Sequence, residues 1–157
     1  MQEALQAFDT MRTTEGENIR MDFLARLKKL DEMRNAIREI APGIVAAYRE
    51  HLRETIAQAL ASQTFDETRL IQETAIYADK ADITEEIVRL GSHFGQFHQI
   101  IELAEEPVGR KLDFLIQEIN RETNTIGSKA NSTEAAQLVV DMKSEIEKLR
   151  EQVQNIE

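Results

Sequence analysis

Apolar residues recur three and four positions apart along almost the whole chain, and no segment alternates apolar and polar residues for long. That period sends side chains to one face of an α-helix and gives no sign of a strand. Two Pro and six Gly in 157 residues leave room for few turns, so the helices should be few and long. The expected fold class is all-α: extended helical hairpins or a bundle with coiled-coil-like seams, several of them narrow enough to be buried against other copies. The absence of Cys excludes disulfide and thiolate chemistry. No apolar run reaches the length of a membrane span, and residues 1–20 lack a basic start followed by an apolar core, so a cytoplasmic location is the expectation.

In chain order, Ile19, Phe23, Leu27, Leu30, Met33, Ile37 and Ile40 form a stripe over one or two helices within residues 2–40, with Gly16 marking a break or kink. Ala41-Pro42-Gly43 should end that segment, because the residue before Pro is pushed away from helical angles. A second helix over about 43–62 carries Ile44, Tyr48, Leu52, Ile56 and Leu60, which makes residues 1–66 a helical hairpin. After a polar connector from Ser62 to Asp66, residues 67–157 read as a C-terminal helical domain. Its first segment, to about 105, bears the heptad seam Ile83, Ile87, Leu90, Phe94, Phe97, Ile101 and Ala104, and Asp82 with Glu85 marks a helix restart. Pro107 opens the next helix, Asn131-Ser132-Thr133-Glu134 forms a joint and cap, and a last helix runs over about 133–156.

The stretch Gly109–Lys129 departs from an ordinary solvated helix. Val108, Leu112, Leu115, Ile119 and Ile126 fall on one side. Arg110, Asp113, Gln117, Asn120, Arg121, Asn124 and Ser128 line the opposite side, and Lys111, Glu118, Glu122, Thr125 and Lys129 lie between. Asn, Thr, Ser and Gly are poor to mediocre helix formers, so their density here points to a site. Phe114 faces away from the apolar side and needs a packing partner or a ligand.

In the preceding segment Asp82, Glu86, Arg89 and His93 share one face beside the apolar seam. His93 with Glu86 can serve as a general base or a metal-binding pair. Glu118 and Glu122 are like charges one turn apart, unfavourable unless a cation sits between them. The same residues also admit plain readings: Glu86–Arg89 and Glu118–Arg121 as surface ion pairs, His98 as a helix-packing histidine, and Gln117, Asn120 and Asn124 as a buried polar contact between helices. If the helices fold back about Glu105-Glu106-Pro107, the acidic groups and His93 converge.

The formal net charge of −10 argues against non-specific nucleic-acid binding. The balance is uneven, because residues 107–157 hold seven Lys and Arg against nine Asp and Glu. An anionic partner therefore fits the last third best.

Three blocks of the sequence are similar to a known family. QETAIYADKADITEEIVRLGSHFGQF, EPVGRKLDFLIQEINRETNTIGSKA and KSEIEKLREQVQNIE closely resemble the C-terminal region of the YicC/YloC family of bacterial endoribonucleases, across nearly all of residues 70–157. Residues 1–69 resemble the helical middle of the same family less specifically. Its members are about twice this length and begin with a separate N-terminal domain, so the chain looks like a C-terminal fragment or a shortened version. The resemblance implies a helical homo-oligomer, a hexamer, that encloses RNA and cleaves it internally with a divalent metal, Mn or Mg, with no DNA substrate and no membrane partner.

The motif positions that match are Asp82, Glu85, Glu86, Arg89 and His93, then Gly109, Arg110, Asp113, Gln117, Glu118, Asn120, Arg121, Glu122, Asn124, Thr125, Ser128 and Lys129. Their roles are expectations from chemistry. The catalytic set is His93, Glu86, Glu118, Glu122 and Asp113, with Glu118 and Glu122 as metal ligands. The RNA-binding set is Arg110, Lys111, Phe114, Asn120, Arg121, Asn124 and Lys129. The competing expectation is a helical oligomerisation or adaptor module without activity.

Overall fold

One long helix sets the frame. In the computed structural model, which describes residues 2–60, 66–103, 108–154 and 156, helix α1 runs unbroken over Gln2–Leu60. At about 1.5 Å per residue, its 59 residues make a rod roughly 88 Å long. It passes through both Gly16 and Pro42, so the hairpin expected at Ala41-Pro42-Gly43 is not formed there. Burial explains the outcome. Ile37 and Ile44, seven residues apart, are both buried, and Ile40 and Ala41 pack on the same core. Pro42 itself stays exposed. A mid-helix Pro costs about 3 kcal/mol, whereas each buried Ile contributes about 1.5–3 kcal/mol. A helix ending at residue 41 would forfeit several such contacts.

The next helix begins at Glu67 instead. Helix α2 spans Glu67–Ala81, α3 Thr84–Leu103, α4 Gly109–Lys129 and α5 Thr133–Gln154, and every regular element among the described residues is helical. Asp66 caps α2 by accepting from the Thr68 and Arg69 backbone N–H groups at 3.0 and 3.3 Å. The restart expected at Asp82 is present: its carboxylate accepts from the Thr84 N–H at 2.9 Å. Those hydrogen bonds to Thr84 hold the Asp82 carboxyl below the usual carboxylate range. Ser132 caps α5 through the Ala135 N–H at 3.4 Å. The turn expected at Glu105-Glu106-Pro107, and most of the connector before Asp66, lie outside the described residues.

Cross-helix pairs fix the directions. Arg53 bridges Glu67 and Tyr48 stacks on Tyr77, so α2 runs antiparallel to the far end of α1. Arg20–Glu102, Phe23–Phe97 and Arg34 to the Ile87 carbonyl set α3 antiparallel to the middle of α1. Helix α4 packs against α3 and α5, and α5 returns to α1. Four helices thus enclose a core of Phe23, Leu30, Ile37, Leu90, Phe97, Leu112, Ile119, Met142 and Leu149, among others. Where α4 and α5 come closest, a Cβ on Gly127 would sit 3.0 Å from a methyl of Val139. That approach explains a Gly inside a helix.

Candidate functional site

A line of charge runs along the α3–α4 groove, built from positions where the apolar stripes skip a beat. On α4, Leu115, Ile119 and Ile126 leave a gap that Glu122 fills, and Glu122 is only 3% exposed. On α3, Glu86 stands between Ile83 and Leu90 and is 4% exposed. Both carboxylates are therefore held where a helix normally buries a hydrocarbon. A charge so placed must be paired or bound to a cation.

At one end of the groove, ligand atoms of His93, Glu118 and Glu122 all lie within 4.8 Å of one another. His93 and Glu118 are half-buried. The His93 Nδ1 is buried and has no hydrogen-bond partner, an unsatisfied state that invites a ligand. Glu118 pairs loosely with Arg121 at 3.4 Å. Next along, Arg89 of α3 bridges Glu85 on its own helix and reaches Glu122 at 3.5 Å. At the other end, Lys129 donates to Glu86 at 2.8 Å and to the Asp82 carbonyl at 3.0 Å. The hydrogen bond to Glu86, helped by its charge, raises the Lys129 pKa above its ordinary value. The second Glu86 oxygen is buried without a partner.

The structure thus brings together His93, Glu118 and Glu122 and leaves other expected members elsewhere. Glu86 lies two turns from His93 on α3 and holds Lys129. Lys129, expected on the RNA-binding face, is committed to that interhelical bond. Asp113 accepts from Gln117 at 2.8 Å and, with Gly109, Arg110, Val153 and Gln154, lines a separate hollow of about 290 Å³ at the start of α4. Arg110, Lys111, Phe114, Asn120, Arg121 and Asn124 are exposed on the outer side of α4, Phe114 to 61%.

Several plain readings change as well. His98 is exposed, not packed between helices. Gln117, Asn120 and Asn124 are exposed, not a buried contact within the chain. Glu86 and Arg89 take different partners instead of each other.

Sequence reasoning missed Glu145. This α5 carboxylate is 4% exposed and receives Arg26 at 3.0 Å, Lys29 at 2.7 Å and Lys148 at 2.9 Å. Its signal was its register, three residues after buried Met142 and four before buried Leu149.

Comparison with known proteins adds the last observation. The family model described as "Endoribonuclease YicC-like, C-terminal" matches residues 37–157. A "Probable endoribonuclease YicC" of Clostridioides difficile (strain 630) is 48% identical over 158 residues, covering 100% of this chain and 54% of that protein. Its namesake in Haemophilus influenzae (strain ATCC 51907 / DSM 11121 / KW20 / Rd) is 34% identical over 163 residues, covering 99% of this chain and 56% of that protein. The chain therefore spans about half the length of the curated relatives it matches.

Proposed function

Because the chain belongs to the family of YicC-like endoribonuclease C-terminal domains, we propose that it carries the RNA-cleaving centre of such an enzyme, formed by His93, Glu118 and Glu122. The observation that carries the reading is their convergence from two helices, with ligand atoms within 4.8 Å. Ligands on one divalent cation sit up to about 4.2 Å apart, so small side-chain rotations make the three a coordinating set. The buried, unpartnered His93 nitrogen fits the same reading. One imidazole and two carboxylates favour manganese over magnesium, since imidazole is a poor magnesium ligand. When bound, such a cation supplies positive charge to a crowded phosphate and acidifies an attacking hydroxyl.

The chain's own residues do the rest. Buried Glu122 and half-buried Glu118 hold the donor set in place, and Ile119 and Ile126 anchor that face of α4. Arg110, Lys111 and Arg121 meet phosphates on the exposed side. Asn120 and Asn124 bond ribose hydroxyls or base edges, which selects RNA over DNA, and Phe114 offers a stacking face. We propose further that the working form is a homo-oligomer, the hexamer that the family resemblance implies. Exposed Val140, Val88 and Leu103 provide apolar surface for it.

The test is to incubate a structured RNA with the chain, with and without manganese, beside His93→Ala and Glu122→Ala. The expected result is manganese-dependent cutting reduced at least about 100-fold by either substitution. Unchanged cutting by both variants would remove this assignment. A stable oligomer that neither binds nor cuts RNA would favour the adaptor instead.

A further inference from the structure

Glu122 is buried at 4% side-chain exposure, and the ion pair the structure gives it is a loose one. The Arg89 guanidinium stands 3.5 Å away, at the outer limit of a hydrogen bond. The same guanidinium donates to Glu85, whose side chain is 67% exposed, and Arg89 is itself 46% exposed. Arg89 is therefore tethered at the rim of the groove and reaches inward with its free arm. A buried carboxylate without a cation would carry an uncompensated charge at a cost of several kcal/mol. A positive group beside Glu122 relieves that cost while the His93–Glu118–Glu122 set holds no divalent cation.

We propose that Arg89 is the resident counterion of Glu122 and is exchanged for the divalent cation, with Glu85 retaining the guanidinium at the rim. This rests on the reading of the three residues as a cation site. It makes Arg89 a positioning residue that sets how tightly the site loads. Two features favour exchange over a fixed structural bridge. The contact given up is long and lacks a hydrogen bond, whereas the contact kept is the hydrogen-bonded one. Arg89 also needs little motion, because its outer anchor is on its own helix one turn away. The arrangement gives Glu122 a counter-charge when the site is empty and discourages weakly bound monovalent ions, which cannot match a guanidinium already in place.

The exchange predicts effects of opposite sign from two neighbours. Arg89→Met removes the competitor, so manganese, titrated into the whole chain and followed by electron paramagnetic resonance, binds about three- to tenfold tighter. Glu85→Gln removes the outer anchor, leaves Arg89 leaning on Glu122, and weakens manganese by about threefold. Melting separates exchange from a structural role. Without metal, Arg89→Met melts below the wild type, because Glu122 has lost its partner. At saturating manganese the deficit disappears.

A deficit that persists at saturation, or equal affinities in wild type and Arg89→Met while His93→Ala loses binding, would overturn the exchange and leave the cation site standing. Manganese affinity that is absent in the wild type, or unchanged in His93→Ala, would overturn both. If Arg89→Met does not fold, Glu85→Gln decides: affinity equal to or tighter than wild type overturns the exchange.

Discussion

Three cations around the Glu145 carboxylate show how a single buried charge ties two helices together. Hydrogen bonds from Lys29 and then Lys148 outweigh its desolvation and hold its pKa at about 2, against an ordinary 4.5. Arg26, held also by Asp22, shares the load and its own pKa is raised, first by the Asp22 hydrogen bond. Because the folded value is the lower one, the stabilisation is complete above pH 4.5 and is lost as pH falls from there to about 2. Discounted for the half-exposed lysines, it amounts to about 2 kcal/mol. Urea midpoints of wild type and Glu145→Gln should therefore differ at pH 7 and converge near the folded pKa; a gap that does not narrow in acid would contradict this assignment. Glu122 and Glu86 teach the same lesson. Each stands three residues after one buried isoleucine and four before another buried apolar residue. Spacing alone places Glu122 on the strip beside the apolar side and Glu86 on the polar face beside the seam, and the partner of each, on another helix, depends on a register that periodicity does not encode.

Helix existence was legible almost throughout, and helix ends less so. The stripes of α3, α4 and α5, the restart near Asp82 and the joint before Thr133 all follow from spacing and caps. Pro42 was misread because local backbone preference was weighed without the burial of Ile37 and Ile44, which exists only once the other helices pack on α1. If burial overrides a standing backbone cost there, Pro42→Ala restores a hydrogen bond to the Arg38 carbonyl. It should stabilise the chain by about 1–2 kcal/mol after the looser unfolded state is counted. A lower melting temperature would mean that the ring or its bend is itself needed. Gly127 argues the other way. Gly127→Val should cost about 1–3 kcal/mol, because its side chain would enter the space of Val139 where α4 meets α5. Thermal melting with no loss would show that the two helices part freely there.

For the whole molecule, the proposed function brings an acidic chain to an anionic substrate through two faces of α4. Its inner face gathers the carboxylates Glu118 and Glu122, proposed to hold a cation, and its outer face offers Arg110, Lys111 and Arg121. If those three meet phosphates of single-stranded RNA, the logarithm of affinity falls against that of salt with a slope of about −2, and Arg121→Ala lowers its size by nearly 1. A slope near zero in filter binding would remove the outer face from the interface. On the inner face His93 and Glu122 are proposed to act as one centre. Its sharpest test is the single-turnover cutting rate of wild type, His93→Ala, Glu122→Ala and the double variant on one RNA. Groups that serve one centre are not additive, so the double variant should be no slower than the worse single. Two losses that multiply in the double variant would show that the residues act apart.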